Sequence, residues 1–395
     1  MFSKRRHGRR GPLIALFALA MVATFSIGVW GIATLSSPRA TLTLRGADDL
    51  ASARGYILEH PIDAAGWMAL AAAIGPLSTN AVSPITSQAV AIAAVLAPVD
   101  PQVLRARILV ALKSGNTVSG LSLAADTATM FPTESREAFS ILRAYTTDAA
   151  WPAFFQARLG SGWPAAESFL LDSCQSGAPL GTLLAIAQPI IRRQALSDNT
   201  VTCIGSKAIA DGQVPAAYWL WLNASATVPS PLANVFNGDF ERPLATRLFD
   251  WRLNPGGDYR EGFAAAIRRD DSRGSRNAVL TIRFNGRAMK PPVAQQFLAL
   301  APGRYTLSYN AREIALSSPG SITWTVRCVP STLSPVLATA YKQPVTGGWF
   351  NYSQAVVIPV GCDGQLLDLE LGNRLQLAQG LQGSVLFDDV NIVRK

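Results

Sequence analysis

The chain has 395 residues, of which 49% are hydrophobic and 15% charged, and this length is sufficient for more than one domain. Its formal net charge is +9, but residues 1–40 contain six Lys or Arg and no Asp or Glu, which leaves +3 for the other 355 residues. Nucleic-acid binding needs a dense basic face, so the nearly neutral remainder excludes a nucleic-acid-binding domain.

A basic head and a long apolar run open the sequence. Residues 1–12 contain five Lys or Arg, and residues 13–35 are 23 residues without a charged side chain. A helix of this length covers the roughly 30 Å hydrocarbon core of a membrane, and basic residues collect on the cytoplasmic side. We predict a cytoplasmic head at 1–12, a single transmembrane helix at 13–35 in the cytoplasmic (inner) membrane, a linker at 36–44 and a periplasmic remainder. The alternative is a signal peptide cleaved after Ala33, although its apolar run is usually only about 7–15 residues.

Residues 45–228 are predicted to be helical. They are rich in Ala and Leu, with apolar residues at the three- and four-residue spacings of amphipathic helices. Asp100 is suited to cap a helix that begins at Pro101, and Phe131-Pro132 ends the next helix after a break at Gly115. Further helices are predicted at 148–159, 164–176, 179–195 and 214–223.

The turns before successive helices repeat along this region. Residues 60–63 (HPID) and 97–100 (APVD) are 37 residues apart, and Pro132 follows Pro98 by 34. These spacings resemble tetratricopeptide repeats, whose unit is a helix pair of about 34 residues. The resemblance implies stacked helix pairs with a concave surface that binds a protein partner. The alternative is an irregular helical bundle that acts as a spacer.

The sequence changes character near residue 228, where the Pro-rich segment VPSPLANVF precedes a region of strands. Seven segments between residues 278 and 394 have the alternating, β-branched and aromatic pattern of strands. We predict about eight antiparallel strands in residues 232–395, arranged as a jelly-roll β-sandwich. The predicted fold class is multidomain α plus β, with a transmembrane helix, a helical repeat domain at 45–228 and a C-terminal β-sandwich.

The four cysteines lie two in each half of the predicted exported part. They are Cys174 and Cys203 in the helical region and Cys328 and Cys362 in the strand region. Four cysteines allow three connectivities, and an oxidising compartment favours pairing. We expect the disulfides Cys174–Cys203 and Cys328–Cys362, because each pair lies within one predicted domain.

Four short motifs in the strand region carry a resemblance to a known fold family. Residues 237–241 (NGDFE) with 249–251 (FDW) are similar to the opening strand of galactose-binding-like jelly rolls, which include many carbohydrate-binding modules, and 387–392 (FDDVNI) to their closing strand. Residues 295–297 and 302–307 resemble the strand and the turn that lie between the opening and closing strands in these jelly rolls. With the anchor and the repeats, the chain resembles membrane-anchored proteins of bacterial exopolysaccharide or O-antigen assembly systems.

The resemblance also implies a structural calcium ion between the first and last strands. Calcium takes six to eight oxygen ligands from carboxylates, carbonyls and water. The matching residues are Glu241 and Asp388 as ligands, with Asp239 and Asp389 as helpers. The alternative is that these carboxylates lie on exposed turns or make ordinary hydrogen bonds.

Sugar recognition usually needs an aromatic ring against the apolar C–H face of a pyranose and polar groups for its hydroxyls. Trp349 and Tyr352 lie in a predicted loop and are the better candidate platforms, and Trp251 is a further one. The candidate polar contacts are Asn351, Gln354, Arg252 and Arg312. Each aromatic residue could instead fill the core or seal an end of the sandwich.

The sequence does not predict an enzyme. It contains only two histidines, and it has no G-x-S-x-G, P-loop or H-E-x-x-H motif. The pairs Asp270-Asp271 and Asp388-Asp389 are poor glycosidase pairs, because adjacent strand residues point to opposite faces. We expect a non-catalytic, membrane-anchored binding or scaffold protein associated with extracytoplasmic polysaccharide. The alternative is a structural protein–protein interaction module without carbohydrate binding.

Overall fold

The computed structural model describes residues 49–75, 82–224, 233–244, 248–253, 262–270, 277–287, 293–317, 322–329, 336–340, 347–371 and 380–395. The predicted head, transmembrane helix and linker, at 1–44, lie outside these ranges. No helix within them is long and apolar enough to cross a membrane. The chain divides into two compact units, residues 1–115 and 116–395.

Eleven α-helices occupy the described residues up to 224. Those of the first unit are α1 (Asp49–Glu59), α2 (Ala64–Ile74), α3 (Pro84–Leu96) and α4 (Pro101–Lys113). Those of the second are α5 (Thr117–Met130), α6 (Ser135–Ala144), α7 (Trp151–Gly160), α8 (Ala166–Gln175), α9 (Leu180–Ile191), α10 (Asp198–Ala210) and α11 (Val214–Ala224). The helices predicted near 148, 164, 179 and 214 are confirmed. The helices α1, α3, α6 and α10 lie in the region predicted to be helical, but no individual bounds were predicted for them.

The repeated turns before α2 and α4 begin their helices in the same way. Asp63 accepts a hydrogen bond from the backbone N–H of Ala65 at 2.9 Å, and Asp100 accepts one from Gln102 at 2.8 Å. Such N-caps satisfy backbone donors that have no partner within the helix and contribute about 1 kcal/mol each. The prediction that Asp100 caps a helix starting at Pro101 is confirmed.

In the described residues after 224 there are ten strands, where about eight were predicted. They are β1 (Arg252–Leu253), β2 (Phe263–Arg269), β3 (Ala278–Asn285), β4 (Ala294–Leu298), β5 (Gly303–Ile314), β6 (Ile322–Cys328), β7 (Val336–Ala340), β8 (Phe350–Ile358), β9 (Gln365–Leu371) and β10 (Gln382–Arg394). They form two antiparallel five-stranded sheets, in the orders β1-β4-β9-β6-β7 and β2-β3-β10-β5-β8. The predicted antiparallel sheets are confirmed.

The two sheets enclose one aromatic core. Trp324 of β6 is fully buried, and its ring centroid lies 5.3 Å from that of Trp251 and 5.5 Å from that of Phe387 in the other sheet. Buried and partly exposed residues alternate along β5, which shows which of its side chains face the core and which face outward. Tyr309 and its inward-facing neighbours are buried, so Asn310 and Arg312 point to the outer face.

Residues 237–240 form a turn rather than the predicted opening strand, and the first described strand is β1. Asn237 and Phe240 have φ of 51° and 54°, which strands do not permit. The backbone N–H of Val390 in β10 donates to the carbonyl of Gly238 at 2.9 Å. A Cβ at Gly238 would collide with the carbonyl oxygen of Val390, so only glycine allows this close approach.

An aromatic cluster joins α11 to the turns of the sandwich within the second unit. The ring of Trp221 lies 5.3 Å from that of Phe236 and 5.5 Å from that of Phe249. Nearby, Gly205 of α10 faces the side chain of Leu248 so closely that a Cβ there would overlap it. The helix α11 therefore packs through aromatic rings against the turns that precede β1.

Both predicted disulfides are confirmed. Cys174 of α8 is bonded to Cys203 of α10, and Cys328 at the end of β6 is bonded to Cys362 before β9. The second bond ties two segments that adjoin in the same sheet, because β6 pairs with β9.

Candidate functional site

A half-buried indole lies next to charged groups on the outer face of the β2-β3-β10-β5-β8 sheet. Trp349, just before β8, donates from Nε1 to Oδ2 of Asp270 at 3.1 Å. The other oxygen of Asp270 lies 4.0 Å from Nη1 of Arg312. The carboxylate of Asp270 therefore links the loop that carries Trp349 to the outward-facing guanidinium of β5.

Two amide side chains, one on β8 and one on β5, lie on the same outer face. Asn351 of β8 donates from Nδ2 to Oδ1 of Asn310 at 3.2 Å, and Asn310 donates to Oδ2 of Asp389 at 2.7 Å. Asn351 and Asn310 are direct partners in the β5–β8 register. We use the term outer-face cluster for these residues of the outer face: Asp270, Asn310, Arg312, Trp349 and Asn351. It combines one aromatic ring with hydrogen-bond donors and acceptors of both neutral and charged kinds.

Asn310 and Asp270 were not among the predicted contacts, although Arg312 was. The signal that could have found Asn310 is the alternation of β5, in which Tyr305, Leu307 and Tyr309 form the buried set. The residues between them must then face outward.

Tyr352 and Gln354 do not belong to the outer-face cluster. Tyr352 stacks on Tyr309, which faces the core, with ring centroids 5.2 Å apart, and burial raises the pKa of both hydroxyls. Gln354 is the register partner of the core residue Leu307. The alternation of β8 therefore places both side chains on the opposite side of the strand from Asn351.

Trp251 and Arg252 also lie away from the cluster. Trp251 is only 3% exposed, packs against Phe240 and Trp324, and donates from Nε1 to the carbonyl of Asn237 at 2.9 Å. Its ring has no surface left for a sugar, so the prediction of a ligand contact is corrected. Arg252 lies in the other sheet, where its guanidinium stacks over the ring of Phe297.

Two of the four predicted calcium ligands converge on the start of β3. Glu241 accepts from the backbone N–H of Ala278 at 2.7 Å, and the buried Asp388 accepts from Nδ2 of Asn277 at 2.9 Å. These two carboxylates fit a shared ion only if carbonyl oxygens and water complete its shell. Among the described residues, no three His, Cys, Asp or Glu side chains are grouped as a metal site.

The other two predicted ligands, Asp239 and Asp389, line a cavity of about 270 Å³ beside an irregularity in β10. The register of β10 with β5 shifts between Asp388 and Asn391, and Asp389 has φ of 52°. We call this cavity the bulge pocket; its lining residues are Ala233, Val235, Phe236, Asn237, Gly238, Asp239, Arg242, Asp389, Val390 and Asn391. Left-handed residues other than glycine cost about 1–3 kcal/mol each and tend to cluster at functional sites.

No protein-family model matches the chain, and no curated protein matches it significantly. Solved structures of carbohydrate-binding modules do align with part of it. A CBM4 structure is 20% identical with a TM-score of 0.31, covering 41% of this chain and 99% of that chain. The CBM22-1 xylan-binding domain of Paenibacillus barcinonensis Xyn10C is 15% identical with a TM-score of 0.29, covering 40% and 91%. TmCBM61 in complex with β-1,4-galactotriose is 13% identical with a TM-score of 0.27, covering 42% and 99%. At these values the likenesses establish neither a family nor a ligand.

Proposed function

We propose that this protein is a non-catalytic, membrane-anchored glycan-binding protein whose outer-face cluster contacts carbohydrate. The observation that carries the proposal is the link from Trp349 through Asp270 to Arg312. It holds an aromatic ring next to charged hydrogen-bonding groups on one sheet face.

The chemistry of the cluster suits a pyranose chain. An indole offers a flat apolar surface to the C–H face of the ring. Arg312 and the amides of Asn310 and Asn351 donate to sugar oxygens, and the carboxylate of Asp270 accepts from hydroxyls. Because the hydrogen bonds among these side chains hold them in position, less conformational freedom is lost on binding.

Trp349→Ala should weaken glycan binding about 10- to 100-fold, because truncating an aromatic anchor typically costs 2 kcal/mol or more. The measurement is calorimetric titration of the full chain in detergent with xylan, β-1,4-galactotriose and a bacterial exopolysaccharide. The same samples, sized by chromatography after incubation, should show no shortening of the polysaccharide, as expected for a protein without hydrolytic activity.

Trp219→Ala is the matched control, since Trp219 is a 42% exposed indole on α11 and outside the cluster. It should bind like the wild-type protein. Equal affinities for Trp349→Ala and wild type, or no binding of any probe by the wild type, would refute the outer-face cluster as a glycan site. The second outcome would favour a protein–protein interaction module.

We further propose a structural calcium ion held by Glu241 and Asp388. What supports it is that two carboxylates are brought to adjacent residues at the start of β3, where a cation would offset their mutual repulsion. Calcium at about 100 times its Kd should stabilise the fold by about 2.7 kcal/mol. Thermal melts in calcium and in chelator measure this difference. Glu241→Ala should abolish it, and Asp363→Ala, which removes an exposed carboxylate outside the predicted ligand set, should keep it. Coincident wild-type melts would contradict the assignment.

We also propose that the chain is anchored in the membrane and that its helices bind a partner protein. In the first unit, Leu58 and Ile62 recur 37 residues later as Val95 and Val99, and all four side chains are between 62% and 85% exposed. Such repeated exposed apolar residues favour docking of a partner protein on tetratricopeptide-like helices. Proximity to genes for glycosyltransferases or polysaccharide export would support the assembly role, and their absence would count against it.

A photo-crosslinking residue at Ile62, introduced in intact cells, tests both parts. We expect a discrete protein adduct in the membrane fraction, while the same group at the exposed polar position Arg54 should give none. A chain found in the soluble fraction would contradict the anchor. Equal labelling at Ile62 and Arg54 would contradict the docking surface.

A further inference from the structure

The bulge pocket has the two surfaces that a sugar ring needs. Its floor consists of the buried Val235 and Val390 and the partly exposed ring of Phe236, with the guanidinium of Arg242 5.9 Å from the centroid of that ring. Its rim carries four exposed polar side chains: Asp239, Arg242, Asp389 and Asn391. The rim therefore faces solvent while the floor is continuous with the core of the sandwich.

The backbone around the pocket is fixed by bonds that span the chain. Val390 donates to the carbonyl of Gly238 at 2.9 Å, and Asn234 donates from its side chain to the carbonyl of Ile392 at 2.7 Å. The side chain of Asn237 accepts from the N–H of Arg242 and donates to its carbonyl, both at 3.0 Å. A pocket formed in this way before binding loses little freedom when a ligand enters.

Local strain points to the same place. Among the described residues, four other than glycine have positive φ, and Asn237, Phe240 and Asp389 are three of them. All three belong to the turn and the irregular part of β10 that enclose the pocket. Strained backbone of this kind persists where the surrounding structure holds it, which is common at ligand sites.

The ligand class follows from the rim and the volume. Two carboxylates accept from adjacent hydroxyls, and Arg242 and Asn391 donate. The ring of Phe236 packs against Trp221 and lies under the guanidinium of Arg242, so only its uncovered part adds an apolar contact to the sugar. A volume of about 270 Å³ is below the range of about 300–1,000 Å³ for drug-sized ligands, so it suits one sugar ring. Two carboxylates against one guanidinium disfavour an acidic sugar.

We propose that the bulge pocket binds the terminal, uncharged pyranose of a glycan, while the outer-face cluster binds residues further along the chain. Asp389 connects the two sites, because it lines the pocket and accepts from Asn310 of the cluster. The inference rests on the proposed glycan binding and adds recognition of a chain end to it.

Monosaccharide binding tests the pocket separately from the outer-face cluster. The probes are glucose, galactose, mannose, xylose and glucuronate, measured with the full chain by saturation-transfer NMR and titration. At least one neutral sugar should bind, and more tightly than glucuronate. Asp239→Ala and Asn391→Ala should each weaken its binding about tenfold or more. The control, Asp363→Ala, removes an exposed carboxylate outside both sites and should leave it unchanged.

Substitutions in the two sites should have different effects on binding. Trp349→Ala should keep monosaccharide binding while losing affinity for polysaccharide, and that pattern supports two separate sites. The pocket assignment is overturned if no neutral sugar binds, if glucuronate binds more tightly than all of them, or if folded Asp239→Ala and Asn391→Ala bind like wild type. Polysaccharide binding that resists Trp349→Ala would instead refute the proposed function of the outer-face cluster.

Discussion

Trp251→Ala is expected to lower the free energy of unfolding by about 3–5 kcal/mol, the usual cost of truncating a buried large aromatic side chain. The indole is 3% exposed and lies between Phe240 and Trp324, with centroid distances of 5.4 and 5.3 Å. The substitution also removes the donor to the carbonyl of Asn237, which belongs to the strained turn against β10. Urea unfolding followed by near-ultraviolet circular dichroism measures the loss.

The same Trp219→Ala variant that controls for binding also controls for stability. Because Trp219 is 42% exposed, its truncation should cost less than about 1 kcal/mol. If Trp251→Ala unfolds with the wild-type midpoint and fails only in glycan binding, Trp251 would be a ligand contact after all, and its burial in the core would be wrong.

Period-two patterns predicted the strands with bulky side chains and missed those without them. The alternation of β5 and the apolar residues of β6 and β10 are visible in the sequence. In contrast, β2 contains three consecutive alanines and β7 is VLATA. These strands exist because long neighbours pair with them, and such pairing overrides a weak local preference.

The site was predictable only in part, because the pattern of one strand does not show which distant side chains cover its residues. Trp349 lies just before β8 in the outer-face cluster, whereas Asn351 and Tyr352 lie within β8, so the loop predicted for Tyr352 is a strand. Trp251 is buried by Trp324, a residue 73 positions away in the chain, and Tyr352 stacks on Tyr309 across a strand pair. Distant contacts of this kind depend on register, which single-segment patterns leave open.

The opening motif illustrates the same limit at closer range. The segment NGDFE resembles an opening strand, but it forms a turn. The carbonyl of Gly238 in this turn accepts from the backbone N–H of Val390, which lies 152 positions later. The backbone of this turn is held by that contact and by the side chain of Asn237. A motif can therefore be recognised in sequence while its conformation is set by the last strand.

Removing the Cys328–Cys362 disulfide by paired substitution with Ala should destabilise the sandwich by about 3–4 kcal/mol. The bond closes a loop with a sequence separation of 34 residues, and the chain-entropy model assigns a loop of this length that stabilisation through the unfolded state. The disulfide also lies next to a buried set of hydrogen bonds made by Gln365. Gln365 donates to the carbonyl of Cys362 at 2.6 Å and accepts from the N–H of Leu300 at 2.8 Å.

Paired Ala substitution of Cys174 and Cys203 is the matched comparison, because that bond closes a similar loop with a separation of 29 in the helical region. Both variants should unfold at lower urea concentrations than wild type. If the disulfide holds the contacts of Gln365, hydrogen exchange at β4 and β9 should accelerate only in the Cys328/Cys362 variant, because Gln365 connects the start of β9 to Leu300, two residues after the end of β4. Unchanged unfolding midpoints in both variants would show that the chain-entropy estimate does not apply to this protein. Equal exchange at β4 and β9 in both variants would show that Gln365 keeps its contacts without the disulfide.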